Sequence, residues 1–208
     1  MKYYPAFLDL TDKKAVVIGG GKVAERKVRG LIKAGASVKV VSPSLTAGLE
    51  RLSEKGKVSC VRRNYKKGDL KGAFIVIAGT SSGEINKRVA RDAGRLVNVV
   101  DSPSDGDFIV PSVVKRGPLT VAVSTEGASP AVSRAVRKEI EKYYDKEFSR
   151  YLRFVESVRE RAMKEIKDTA RRARFFRSIA SEEIFNALRD KGFNTVSKKV
   201  LAFLESMK

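Results

Sequence analysis

The sequence predicts an α/β protein: an N-terminal Rossmann-type parallel sheet, then a hairpin and helix, then an α-helical C-terminal domain. Three observations carry this reading. An apolar run, Ala15-Val16-Val17-Ile18, leads straight into Gly19-Gly20-Gly21 and a stretch of helical character. Strand-like and helix-like segments then alternate as far as Val100, the pattern of a parallel sheet with crossover helices. Beyond Asp101 the alternation stops, and from Ser129 to Lys208 nearly everything has helical period. Boundaries fall near Ser112 and Tyr144, giving modules 1–112, 113–144 and 145–208.

Each element has a local signal. Pro5 to Leu10 reads as a short edge strand or lead-in, followed by a turn at Thr11 to Lys14. After the glycines, Val23, Val28, Leu31 and Ile32 fall on one helical face, and Gly35 stops that helix. Ser37 to Val41 is the second strand. Leu45, Leu49 and Leu52 give Leu45 to Lys55 a helical stripe, and Val58 to Val61 is a short strand containing Cys60. Phe74 to Ala78 is apolar throughout, as expected of a strand buried on both faces. Ser82 to Gly94 is helical, and Leu96 to Val100 is the next strand. Asp101 to Asp107 is a turn-rich loop. Phe108 to Val114 and Leu119 to Ser124 then read as an antiparallel hairpin joined by Lys115 to Pro118. Ser129-Pro130 starts a helix, with serine as N-cap and proline at the first helical position. Further on, Tyr151, Val155 and Val158, then Ile184, Phe185 and Leu188, then Val200, Leu201 and Leu204 form helical stripes.

The glycine turn has the spacing Gly19-x-Gly21-x-x-Ala24, the dinucleotide-binding fingerprint with alanine in its last place. Gly19 makes the turn, Gly21 lets the backbone approach a pyrophosphate, and Ala24 lets helix and strand pack closely. The amides that open the helix, with Lys22 and Val23, then face the phosphates. In an open parallel sheet, ligands lie at the carboxyl ends of the strands. That rule selects Gly19 to Val23, then Ser42, Pro43 and Ser44, then Gly79 and Thr80, and finally Asp101. The usual ribose-binding acid is missing, because Val41-Ser42-Pro43-Ser44 stands in its place, so the residues alone leave NAD and NADP open.

Composition narrows the chemistry. The 208 residues include 43 Lys+Arg against 24 Asp+Glu, a formal charge of +19, which favours a polyanionic partner such as nucleic acid, an acidic membrane or a polycarboxylate. Histidine is absent, so any general acid or base must be Asp, Glu, Lys, Tyr or Cys. Cys60 is alone and no cysteine or histidine cluster exists, so neither a disulfide within the chain nor a zinc site is expected. No apolar run approaches membrane-spanning length and the first ten residues do not read as a signal peptide, so a cytoplasmic protein is expected. The Lys/Glu/Arg-rich surface, without glutamine, leans toward a thermophilic source.

Asp101 ends an apolar strand on the side where a nicotinamide should lie. It is a natural general base for a proton lost alongside a hydride, and equally a turn-capping residue in Asp-Ser-Pro-Ser-Asp-Gly. Ser124 to Pro130 can cradle a carboxylate through hydroxyls and helix-end amides, or is simply an N-capped turn. Arg134, Arg137 and Lys138 follow on one helix. The run Arg171 to Arg177 interleaves cations with Phe175 and Phe176. It could hold nucleic acid, but a solvated helix face with its phenylalanines in the core is the better reading.

The segments VIGGGKVAERKVRGLIKAGA, NVVDSPSDGDFIVPSVVKRGPLTVAVSTEGASPAVSRAVRKEIE and PAFLDL together resemble the precorrin-2 dehydrogenase family, found alone or as the N-terminal module of siroheme synthase. The similarity is collinear from Tyr4 to Glu141. It implies NAD-dependent oxidation of precorrin-2 to sirohydrochlorin with Asp101 as the base, and in some members insertion of ferrous iron at the same site. The implied substrate is a tetrapyrrole ringed by acetate and propionate groups, which gives the positive charge a purpose without nucleic acid. Asn98, Ser124, Thr125 and Arg134 are the candidate substrate contacts, and no resident metal is expected. The resemblance also implies a homodimer in which the hairpin from Phe108 and the helix from Ser129 exchange across the two-fold, and no methyltransferase activity. The competing reading is a dinucleotide-sensing regulator that binds nucleic acid, though the chain carries no helix-turn-helix or RNA-binding signature.

Overall fold

Strands alternate with helices over the first half of the chain because short apolar runs, buried on both faces, alternate with segments of 3.6-residue apolar period. In order they are β1 (Lys14–Ile18), α1 (Lys22–Lys33), β2 (Ser37–Val41), α2 (Ala47–Glu54), β3 (Ser59–Val61), β4 (Ile75–Ala78), α3 (Gly83–Ala93) and β5 (Val97–Val99). The computed structural model describes residues 2–94 and 96–208. All five strands are parallel, in the order β3-β2-β1-β4-β5, so β1 lies at the centre and the chain reverses direction across it. That is the switch point at which such sheets bind ligands. Alternate residues of β1 enter two cores. Ala15 and Val17 pack with Val28 and Leu31 of α1, while Val16 and Ile18 pack with Val89 of α3.

Helix limits follow local chemistry. Thr46 caps α2 and Ser82 caps α3, each accepting from a backbone N–H three residues on. Gly35 (φ 83°) and Gly94 (φ 71°) take the left-handed conformation after α1 and α3. Three expectations need correction. Of the two readings of residues 5–10 the edge strand fails and the lead-in holds, with only Leu10 among them buried. Val23, expected on the apolar face of α1, is exposed, and Ala24 takes its place in the core. The hairpin begins four residues late, with β6 at Ser112–Arg116 and β7 at Leu119–Val123. The reason lies at the open edge of β5. The Asp107 N–H donates to Val97 O (2.8 Å), its carboxylate accepts from the Val97 N–H (2.9 Å), and Phe108 O accepts from Asn98 Nδ2 (2.9 Å). These residues cover a bare strand edge instead of starting a new strand.

The chain forms two compact units, 1–110 and 111–208. The second contains the β6–β7 hairpin, turned at Gly117-Pro118, and four helices: α4 (Pro130–Tyr143), α5 (Lys146–Glu165), α6 (Thr169–Ile179) and α7 (Glu182–Ser206). Tyr151, Val158, Leu188, Val200 and Leu204 of the helical stripes fill its core, together with Phe175 of the basic run. Gly192 (φ 73°, ψ 172°) breaks α7, and Glu147 accepts a hydrogen bond from the Phe193 N–H (3.0 Å), capping the half that follows. The basic run lies on α6, where Phe175 is fully buried and Phe176 half-buried beneath the Arg159 guanidinium. No described helix is long and apolar enough to cross a membrane.

Candidate dinucleotide and substrate site

β1, β2 and β4 all end at one cleft of about 390 Å³. Its floor is Gly19, Gly20 and Gly21, one wall is Ser42, Pro43 and Ser44, and the other runs from Gly79 to Ser82. Asn64 and Tyr65, unmarked by any sequence signal, also line it. Backbone hydrogen bonds tie the walls to the floor. Gly19 N–H donates to Val41 O (2.9 Å), Thr46 N–H to Gly20 O (3.0 Å) and Gly79 N–H to Ile18 O (2.8 Å).

The three glycines do different work. Gly19 has φ 119°, and a Cβ there would lie 2.3 Å from Gly79 O. A Cβ on Gly20 would lie 2.1 Å from Ser44 O. A Cβ on Gly21 would meet nothing within 4 Å. Gly21 is the N-cap of α1 and makes no side-chain cap, so the amides of the first turn face open space. This suits a diphosphate: the backbone is bare where the anion must come close, and the helix dipole favours its charge. Lys22 and Val23 are exposed on that first turn and do not line the cleft.

The Gly79–Ser82 wall is held by a residue the sequence did not advertise. Buried Asn86 accepts from the Thr80 N–H (3.0 Å) and hydroxyl (2.8 Å) through Oδ1, and its Nδ2 donates to Thr80 O (3.1 Å). Its position four residues after the Ser82 cap is the only hint in the chain. Tyr65 donates to Asp92 (2.9 Å), and burial with the Asp92 charge pushes its phenol pKa up, so it remains a neutral donor. Asp69, buried under Arg63 and Lys39, is held well below the usual carboxylate range, mainly by the Arg63 hydrogen bonds.

Asp101 follows β5 with φ 65°, a left-handed conformation that asparagine and aspartate tolerate better than most residues. The turn after it is closed by other groups. The Ser102 hydroxyl donates to Asp105 (2.7 Å), the Asp105 N–H donates to Ser102 O (3.1 Å), and Asp107 bonds β5. Among the described residues none donates to the Asp101 carboxylate, so it is not the group that caps this turn. Asn98 is buried on β5, with Nδ2 on Phe108 O and Oδ1 unpaired among the described residues. In the second unit the Ser124 hydroxyl accepts from the Glu126 N–H (3.0 Å) and Thr125 Oγ1 from the Ser129 N–H (3.1 Å), while Ser129 caps α4. Arg134 is exposed on α4. A second concavity, about 470 Å³ between Lys87, Arg91, Asp105 and Asp107, lies beside the start of β5, away from the strand ends. No group of three or more metal-ligating side chains exists among the described residues.

Residues 6–112 match the NAD_binding_7 family model, described as "Putative NAD(P)-binding", and residues 116–143 match "Sirohaem biosynthesis protein central". The chain belongs to the siroheme synthase and precorrin-2 dehydrogenase family. A siroheme synthase of Nitrosococcus oceani is 37% identical over 187 residues, 88% of this chain and 40% of that protein. One from Methylobacillus flagellatus is 41% identical over 179 residues, 85% of this chain and 38% of that protein. The chain thus spans about two-fifths of the length of these curated relatives. The solved structure of SirC, precorrin-2 dehydrogenase, superposes with a TM-score of 0.83 at 27% identity, covering 98% of this chain and 100% of that one. The α/β architecture read from the sequence is therefore that of this family.

Proposed function

We propose that the chain oxidises precorrin-2 to sirohydrochlorin with NAD, in siroheme biosynthesis. The observation that carries the reading is the Asp101 carboxylate: it sits at a strand end in strained backbone, released from the turn that Ser102, Asp105 and Asp107 close. Strain retained at an uncommitted polar residue marks a functional position. Gly19, Gly21, Ser42, Pro43, Ser44, Gly79 and Thr80 would hold the dinucleotide, with the diphosphate over Gly21 and the ribose hydroxyls by the serines. Bound there, NAD supplies the hydride acceptor. Each hydride removed from the precorrin leaves a proton to be taken from a neighbouring position, and the Asp101 carboxylate accepts it. Asn98, Ser124, Thr125 and Arg134 are the proposed substrate contacts. Lys22 and Val23 contribute backbone amides only.

The same reading makes 113–144 the dimerisation segment. Val132, Val136 and Tyr143 lie along one face of α4 and are 51%, 41% and 59% exposed, an apolar stripe that suits a second copy of the chain. Ferrous iron is a second proposed substrate, inserted into sirohydrochlorin, and the cytoplasm is the proposed location. The decisive experiment is an anaerobic assay of precorrin-2 with NAD and no metal. Growth of the sirohydrochlorin spectrum in step with NADH is expected, and no spectral change with intact, NAD-binding protein overturns the proposal.

A further inference from the structure

α1 presents two charged side chains to opposite flanks of the sheet. Glu25 reaches the start of α2, where its carboxylate accepts from Thr46 Oγ1 (2.6 Å), and it also accepts from Arg29 on its own helix. Lys27, two residues on and about 200° round the helix, therefore leaves on the β4–β5 side. Helix side chains lean toward the N-terminus, which for α1 is the mouth of the site. The stem of Lys27 is half-buried, and its ammonium makes no hydrogen bond or ion pair among the described residues. Burial pushes its pKa below the usual lysine value, the Arg26 charge adds to that, and Asp101 opposes them. Its field thus reaches the carboxylate that ends β5, although the two groups are not in direct contact. A half-buried ammonium with no ion pair in contact, and only a more distant carboxylate to offset its desolvation, gains from an anion that meets it directly.

We propose that Lys27 is a substrate-binding residue whose ammonium takes a carboxylate of the tetrapyrrole beside Asp101. The inference rests on the dehydrogenase reading and adds to it the group that registers the macrocycle against its base. Acetate and propionate side chains surround the ring, so one ammonium fixed next to Asp101 selects which carbon stands over that carboxylate. The two residues divide the work: Lys27 binds an anion that does not react, and Asp101 takes the proton.

The test is Lys27→Met, which keeps the buried stem and suits a helix. Its KM for precorrin-2 should rise ~10-fold or more, as expected for losing one charge-assisted hydrogen bond, with kcat within about twofold and the KM for NAD unchanged. Lys27→Arg should recover most of the affinity. Sirohydrochlorin binding, followed by fluorescence quenching, should weaken in parallel. An unchanged KM and an unchanged sirohydrochlorin affinity overturn the proposal, as does a fall in kcat alone. Should Lys27→Met fail to fold, Lys27→Gln serves under the same criteria. Wild-type protein that binds sirohydrochlorin through Lys27 yet does not oxidise precorrin-2 removes the dehydrogenase reading and leaves this site standing. Wild-type protein that does neither removes both.

Discussion

Gly20 and Ser44 meet backbone to backbone, so closely that a Cβ on Gly20 would stand 2.1 Å from Ser44 O, whereas a Cβ on the neighbouring Gly21 would meet nothing within 4 Å. One glycine is therefore required by the fold and the next by whatever enters the cleft. Gly20→Ala should destabilise the protein by about 1–3 kcal/mol, because backbone must move to admit the methyl group. Gly21→Ala should cost under about 1 kcal/mol, the ordinary penalty of alanine at an N-cap. Urea denaturation of the two variants checks both values, and equal losses would contradict the assignment.

Gly21→Asp should abolish dinucleotide binding while the protein stays folded. The backbone there has φ −79°, which aspartate adopts without strain, and the new carboxylate would occupy the space proposed for the diphosphate. Calorimetric titration with NAD, alongside circular dichroism, is the measurement. Undiminished affinity would move the site elsewhere.

Asp101→Asn should lower kcat by ~100-fold or more with the KM for NAD nearly unchanged, since asparagine keeps the shape and the tolerance of left-handed backbone but cannot accept a proton. Steady-state kinetics decides the matter. Normal turnover would mean that the proton leaves to water or to another base.

Asp69 predicts an acid limit to stability. Its carboxyl is held below its unfolded value by Arg63 and, less strongly, by the Lys66 N–H and Lys39. A depressed pKa contributes stability that is fully present above the ordinary aspartate range and is lost as pH falls through the native value. Asp69→Asn should therefore lower Tm at neutral pH and flatten its decline at acid pH. An unchanged pH dependence in the variant would assign the acid limit to other carboxylates.

Wild-type protein should scatter light as a dimer at micromolar concentration, and Val132→Glu with Val136→Glu should give a monomer by placing charge on the exposed stripe of α4. A monomeric wild type would remove the proposed role of 113–144.

Much of the protein was determined by short-range pattern alone. The apolar run into three glycines, the alternating periods, the caps at Ser82 and Ser129 and the stops at Gly35 and Gly94 are all relations within a few residues, and each specifies its element whatever lies beyond it. The stripe through Tyr151 and Val158 marks a buried face for the same reason. Tertiary structure decided what depends on neighbours far along the chain. Phe108 to Pro111 have strand-forming composition, yet the hairpin starts only at Ser112, because unpaired groups at the edge of β5 had to be met and Asp107 and Phe108 meet them. Asn86 locks Thr80, and Gly20 admits Ser44, through contacts that no spacing records. Lys27 looks like any surface lysine in the sequence. It becomes distinctive only in the fold, where Glu25 is anchored to Thr46 on one flank of α1 and Lys27, about 200° round the helix, is half-buried with no ion pair among the described residues.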